Sequence, residues 1–177
     1  MRTVHKAILY ETLCVRPLPQ TFLDIGCGNG TFTQMLADAF PNTSVTASDT
    51  FDGKRLTVAQ NISFVKGSAE ELPFKPASFD VVIVALSLHH WKDKSQGISE
   101  TYRVLKKGGR LIIGDPLLED WMGNRFWGWL MQLIDGGSFT DKQRLTGYLD
   151  KAGFESVNIS LVPNSMKSLY IITAIKV

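Results

Sequence analysis

The chain has 177 residues, of which 44% are apolar and 20% charged, enough for one compact domain spanning 1–177 that buries about two-thirds of its unfolded surface. The 19 Lys and Arg against 17 Asp and Glu leave a net charge of +2. That gives no strong field for holding a nucleic-acid backbone or an anionic bilayer, so no nucleic acid is expected and a small-molecule partner is favoured. Two cysteines and three histidines are too few for a disulfide framework or a rich metal site, which points to a reducing cytoplasm and no metal. No stretch reaches the roughly 18 uncharged apolar residues of a membrane span, and MRTVHKAILYE lacks the apolar core of a signal peptide. A soluble, cytoplasmic protein is expected.

The first strand-like run, Thr21 to Ile25, stops at a cluster of glycines. Helical spacing follows from Thr31 to Phe40, with Phe32, Met35, Leu36 and Phe40 on one face and Pro41 as terminator. Short β-branched runs at Ser44 to Ser48, ending in Asp49, and Ile62 to Lys66, ending in Gly67, read as buried parallel strands. The nearly unbroken apolar segment Phe79 to Leu88 suits a central strand covered on both faces, and it leads into His89, His90 and Trp91. A helix is predicted from Asp93 to Lys107, with Gly108 and Gly109 as its left-handed stop, and a strand from Arg110 to Gly114. Leu117 to Ile134 and Asp141 to Ala152 read as helices, the second capped by Gly153. The closing strands, Glu155 to Val162 and Ser168 to Val177, are too close in sequence for a crossover helix and should form an antiparallel hairpin. Strands alternating with helices indicate an α/β fold with a parallel sheet covered on both faces.

In LDIGCGNG, Gly26, Gly28 and Gly30 lie between a strand and a helix, where missing side chains let the backbone turn sharply and approach a nucleotide-like ligand. The dinucleotide fingerprint G-x-G-x-x-G would need glycine at position 31, where this chain has Thr31, so the spacing argues against NAD and FAD. Asp49 ends the next strand about 20 residues on, where a carboxylate can accept both ribose hydroxyls of an adenosine. Cys27 reads as a small buried filler with no positive partner near it in sequence.

LDIGCGNG, VTASD, GSAEELPF with SFDVVIVALSLHHW, and RVLKKGGRLIIGDP resemble the successive motifs of the class I S-adenosylmethionine-dependent methyltransferases, within them the small-molecule group called type 11. TGYLDKAGFESVNI resembles that family's C-terminal helix and strand. The resemblance implies a three-layer Rossmann-like sandwich whose seven-stranded sheet is parallel except for an antiparallel strand at the C-terminus. It implies S-adenosyl-L-methionine as cofactor, with Asp24 and the loop Gly26, Cys27, Gly28, Asn29 and Gly30 against its methionine part. Asp49 would meet the ribose, and Thr50 would pack beside the adenine. The family usually has Asp where this chain has Ser68. A serine hydroxyl can still accept from the adenine amino group, more weakly than a carboxylate, and the backbone of Ala69 can serve a ring nitrogen. Leu86 matches the position whose carbonyl meets the cofactor's amino group.

The resemblance further implies methyl transfer to a small-molecule acceptor. Methyl transfer from a sulfonium gains most of its advantage from holding the acceptor in line, but a hydroxyl or phenol acceptor must also lose a proton. His89 and His90 stand at the carboxyl edge of the sheet, and either one is a candidate base or a structural residue that hydrogen-bonds the start of the next helix. SLHHW is unlike the N-P-P-[YF] motif of related enzymes that methylate amino groups of nucleic-acid bases. The segment DWMGNRFWGWLMQLI holds Trp121, Trp127 and Trp129, and part of it is expected to line an apolar or aromatic acceptor pocket. With about 20 residues before the first strand, cover must come from residues 1–19 and 116–140, leaving an open site or one closed by a second subunit of a homodimer. Two alternatives stand beside this reading: a non-catalytic S-adenosylmethionine-binding interaction subunit, and a nicotinamide-dependent dehydrogenase, which Thr31 disfavours.

Overall fold

The computed structural model describes residues 2–51, 59–118, 137–163 and 169–177. In chain order its elements are α1 (Arg2–Leu13), β1 (Thr21–Ile25), α2 (Thr31–Ala39), β2 (Ser44–Asp49), β3 (Ile62–Lys66), β4 (Phe79–Ala85), a 3-10 turn (Leu88–His90), α3 (Lys94–Val104), β5 (Leu105–Pro116), α4 (Lys142–Ala152), β6 (Phe154–Leu161) and β7 (Leu169–Lys176). The seven strands form one sheet in the order β3-β2-β1-β4-β5-β7-β6. Strands β1 to β5 run parallel, and β7 is antiparallel to both its neighbours, β5 and β6. This is the expected sheet with its antiparallel C-terminal hairpin. The order reverses between β1 and β4, and ligands of such folds bind beyond the carboxyl ends of the strands at that crevice.

Strand periodicity sends alternate residues to opposite faces. Phe22, Val81, Ile83, Ile112 and Ile171 face one apolar cluster with Val4 and Ile8 of α1 and Phe32 and Leu36 of α2. Leu23, Val82, Val84, Leu111, Ile113 and Ile172 face the other with Ile98 of α3 and Leu145 and Leu149 of α4. Three layers result. At the amino edge, Asp80 accepts hydrogen bonds from the N–H of Gln20 and of Thr21, each at 2.9 Å, and from Lys106 Nζ at 2.8 Å, tying β1, β4 and β5 together where they begin.

Four boundaries differ from the sequence reading. Residues 2–13 form α1, an element the sequence reading did not assign. Helix α3 begins after Asp93, whose side chain accepts from the Gln96 N–H at 2.9 Å, but ends at Val104. Leu105 is already paired with Phe79, and Arg110 with Val81. Residues 106–109 are thus extra length on one strand, and Gly108 (φ +75°) turns the chain inside this bulge instead of stopping a helix. Strand β4 ends at Ala85, and Leu86 (φ +56°) turns the chain into the 3-10 turn. Leu117 is buried and Leu118 bridges to Asp141, so neither begins a helix; the rest of the helix expected to Ile134, with its tryptophans, lies outside the described residues. Helix α4 matches closely: Asp141 accepts from the Arg144 N–H at 2.7 Å, and Gly153 (φ +96°) ends it. Among the described residues, no helix is long and apolar enough to cross a membrane.

Trp91, just beyond the histidines, is buried against α3. A Cβ on Gly97 would lie 2.4 Å from Trp91 Cε3, and that ring has no flexible end to move aside. Overpacking of this kind costs about 1–3 kcal/mol, more than the few tenths of a kcal/mol that valine gains over glycine in a helix. Gly97→Val should therefore lower stability by about 2 kcal/mol in urea unfolding, and an unchanged midpoint would contradict this packing.

Candidate active site

Beyond Ile25 the chain turns through Gly26 (φ +73°) and Gly28 (φ +54°) before Gly30 begins α2. The N–H groups of Gly26 and Cys27 both donate to the Ser48 carbonyl, at 2.7 and 3.2 Å, which hooks the loop onto the end of β2. A Cβ on Gly26 would sit 2.4 Å from Ser87 Cβ, while Ser87 Oγ donates to the Ile25 carbonyl at 2.7 Å. Glycine is thus demanded at 26 by both its dihedral and its neighbour. At Gly28 a Cβ would meet nothing within 4 Å. Its demand is the positive φ, and the space above it is open. The Gly28 N–H donates to Asp49 Oδ2 at 2.8 Å, and the Phe51 N–H to Asp49 Oδ1 at 3.2 Å. Asn29 Oδ1 accepts from the Thr31 N–H and hydroxyl, at 3.2 and 2.9 Å, shaping the first turn of α2. Thr50 is exposed beside Asp49.

Asp24, in β1 under this loop, is 1% exposed. Its Oδ2 accepts from Thr33 Oγ1 of α2 at 2.6 Å, whereas Oδ1 is buried without a hydrogen-bond partner among the described residues. Burial pushes the Asp24 carboxyl up to about 6; the Thr33 hydroxyl opposes that rise and the charge of Asp49 adds to it. Burial, Asp24 and Asp49 likewise push the Cys27 thiol up to about 12, so it is a filler and no nucleophile. An unpartnered buried carboxylate oxygen beside a second carboxylate suits a ligand carrying an ammonium group and a hydroxylated ring, and S-adenosylmethionine carries both. The residues present fit that cofactor.

The loop after β3 reaches the same edge. The Gly67 N–H donates to the Asp49 carbonyl at 3.0 Å, so Ser68 and the buried Ala69 follow directly beside Asp49. The Ser68 hydroxyl donates to the Glu70 carboxylate. Leu86 is half-buried, its N–H bonded to the Gly114 carbonyl at 2.8 Å. Glycine loop, Asp49, Ser68, Ala69 and Leu86 therefore stand at successive carboxyl ends of β1, β2, β3 and β4.

The two histidines are placed differently. His89 is 6% exposed, and its Nδ1 lies 2.9 Å from Oδ1 of Asp115, a fully buried residue near the end of β5. Asp115 Oδ2 accepts from the Leu88 N–H at 3.0 Å. Burial raises the Asp115 carboxyl above the usual range, against the lowering effect of its hydrogen bond to His89. The His89 ring stacks on Phe139, centroids 5.1 Å apart and 11° from parallel, and its carbonyl accepts from the Ser138 N–H at 2.7 Å. His90 is exposed, with its ring centroid 4.1 Å from that of His89. Asp115 was within a quoted motif, GDP, but sequence reasoning gave it no role; its only sequence signal is an acid at a strand's carboxyl end.

The Asp24 carboxyl carries a sign for stability. Its folded value, about 6, exceeds the unfolded 3.8, so the ligand-free fold binds an extra proton between these values and loses stability as pH rises through that window. Asp24→Asn removes the cost. Thermal unfolding at pH 7 should show the ligand-free variant melting above wild type, with the gap closing below about pH 4; equal melting at both pH values would contradict a buried, strained carboxylate.

Comparison with known proteins agrees with this geometry. The chain is 31% identical over 145 residues to 2-methyl-6-phytyl-1,4-hydroquinone methyltransferase 1 of rice, covering 79% of this chain and 42% of that one. It is 35% identical over 113 residues to the ubiquinone/menaquinone biosynthesis C-methyltransferase UbiE of Psychromonas ingrahamii, covering 56% and 45%. The chain thus spans less than half the length of these two relatives. Human N-acetylserotonin methyltransferase, solved in complex with S-adenosylmethionine, superposes with a TM-score of 0.75 at 20% identity over 99% of this chain and 51% of that one, a likeness of fold. The methyltransferase-domain model matches residues 23–113, more than half of the sequence and the whole run from Asp24 into β5, and the chain therefore belongs to the type 11 family of class I S-adenosylmethionine-dependent methyltransferases.

Proposed function

We propose that this chain transfers the methyl group of S-adenosylmethionine to a small, apolar aromatic acceptor bearing a phenolic hydroxyl, such as a hydroquinone. The observation that carries the reading is the gathering at one sheet edge of two unlike parts. One is the cradle of Asp24, the glycine loop and Asp49; the other is a histidine whose Nδ1 is already engaged by a buried carboxylate. The activities of the hydroquinone and quinone-pathway relatives support the acceptor class, and the similar 27-O-demethylrifamycin SV methyltransferase of Amycolatopsis mediterranei supports a small-molecule acceptor. The net charge of +2 supports a small molecule over a nucleic acid. The free thiols of Cys14 and Cys27 accord with a reducing, cytoplasmic setting. We keep the whole of 1–177 as one such domain, with a second subunit as the alternative source of cover for the site.

When bound, the cofactor supplies an electrophilic methyl group on a sulfonium. Asp24 Oδ1 would accept from its ammonium group, and Asp49, held in orientation by the Gly28 N–H, would accept from the ribose hydroxyls. Asn29 and Gly30 would shape the floor, Thr50 and Ala69 would flank the adenine, and the Leu86 carbonyl would add an acceptor for the ammonium group. With Nδ1 held by Asp115, Nε2 is the His89 nitrogen that would take the acceptor's proton. This is the arrangement in which a carboxylate fixes one tautomer and stabilises the imidazolium that forms. The deprotonated acceptor oxygen, or the ring carbon ortho to it, would be the nucleophile toward the methyl group that the bound cofactor would supply, with the thioether as leaving group. With methylation at carbon, the ring afterwards sheds its own proton. His90, exposed, has no part in this proton transfer.

Methyl transfer to a prenylated hydroquinone, followed with methyl-labelled cofactor, tests the reading. His89→Gln should lower turnover about a hundredfold and flatten the rising limb of the pH profile with cofactor affinity unchanged, while His90→Gln keeps both. A full limb surviving in His89→Gln would exclude the base. Asp49→Ala should weaken cofactor binding about tenfold or more, since each hydrogen bond to a charged group contributes about 1.5–3 kcal/mol; calorimetry showing unchanged affinity in the folded variant would remove Asp49 from the ribose.

A further inference from the structure

We propose that Glu70 is a cofactor-selecting residue that acts through Ser68: its carboxylate takes the Ser68 hydroxyl proton and so fixes Ser68 Oγ as an acceptor aimed at an adenine amino group. This rests on the reading that places the ribose on Asp49. Strand β3 pairs with β2 so that Lys66 stands opposite Asp49, and the Gly67 N–H bonds to the Asp49 carbonyl at 3.0 Å. A base carried by a ribose on Asp49 is therefore met by the residue that follows Gly67, which is Ser68.

A serine hydroxyl alone is a poor discriminator, because it donates or accepts as its partner requires. Here its freedom is removed. Ser68 Oγ donates to Glu70 Oε2 and accepts from the Glu70 N–H at 3.2 Å, which leaves one lone pair for a further donor. The carboxylate itself is anchored from another loop: Glu70 Oε1 accepts from the N–H groups of Lys92, at 2.7 Å, and Asp93, at 3.3 Å. Burial acts to raise the Glu70 carboxyl, but the Ser68 hydroxyl and the N–H groups of Glu70, Asp93 and Lys92 outweigh it and hold it below the usual range. A charged acceptor behind the hydroxyl also strengthens its outward lone pair. A purine with an amino group at position 6 meets an acceptor there, whereas one with a carbonyl meets no donor. Sites of this kind reject the wrong analogue because a polar group is left unpaired.

The probes are S-adenosylhomocysteine and its inosine counterpart, titrated by calorimetry into the full chain. Wild type should bind the adenosine compound at least about thirtyfold more tightly. Glu70→Gln keeps an acceptor for Lys92 and Asp93 but turns an amide donor toward Ser68, freeing the hydroxyl to donate, and should cut the preference about tenfold with thermal unfolding little changed. Ser68→Ala should cut it similarly. Ser68→Asp in the Glu70→Gln background should restore it, since a carboxylate then accepts directly. Wild-type preference retained in Glu70→Gln overturns the relay, and should that variant fail to fold, preference retained in Ser68→Ala overturns it equally. Binding of neither compound to wild type would instead remove the ribose assignment, and the relay with it.

Discussion

A carboxylate buried with one oxygen bonded and the other unpartnered is costly in a fold without ligand, and among the described residues Asp24 is in that state beneath the glycine loop. The surrounding structure maintains it. Thr33 holds one oxygen from the first turns of α2, the N–H groups of Gly26 and Cys27 are spent on Ser48, and that of Gly28 on Asp49. With these donors committed elsewhere, Oδ1 has no partner among the described residues, as the proposed cofactor role requires. The same constraint explains why Asp24 and Asp49 push Cys27 away from thiolate chemistry, and why the loop offers carboxylates rather than N–H groups as its dominant charge. Two carboxylates disfavour a phosphate, which is the usual guest of a glycine-rich turn at a helix start, and suit the ammonium and hydroxyl groups of the proposed cofactor.

The sheet converts this local arrangement into a site with two sides. The reversal between β1 and β4 opens the crevice over the glycine loop, and β5, next to β4, brings Asp115 under the turn that carries His89. Register does the positioning: Ala85, the last residue of β4, lies opposite Gly114, so Asp115, next along β5, meets the residues that follow β4. The positive φ of Leu86 is the local irregularity that redirects the chain from β4 into the histidine turn, and strained backbone of this sort clusters at functional sites. On the opposite face, Val4 and Ile8 of α1 pack directly over Gly114, where a Cβ would lie 2.5 Å from Ile8 Cδ1.

The parts legible in the sequence were those carried by contiguous residues. Glycine spacing after an apolar run, a carboxylate ending the next strand, and two strands too close for a crossover helix each state their geometry within a few positions. Thr31, standing where a dinucleotide loop would put glycine while Gly30 falls one place early, is the clearest case. What escaped was pairing across the fold. Asp115 meets His89 from 26 positions away, and Glu70 reaches Lys92 from 22; nothing local in either segment announces the partner. Helix α1 was missed because its first turn has no acidic residue and its last no basic one, leaving Val4, Ile8 and the buried Thr12 as a thin stripe. The end of α3 was misplaced because Lys106 and Lys107 suit a helix's last turn, while Leu105 is already pairing with Phe79. There tertiary pairing overrode a correct local preference.

The central claim is that Asp24 lends an ionised oxygen to a cationic part of the cofactor, and proton release on binding measures it most directly. Calorimetric titration of S-adenosylmethionine at pH 5.5 in two buffers of different ionisation heat should give different apparent enthalpies, because a carboxyl with a ligand-free value of about 6 must give up its proton to bind. The difference should shrink by pH 7 and be absent in Asp24→Asn. Binding at pH 5.5 with the same heat in both buffers would contradict the account.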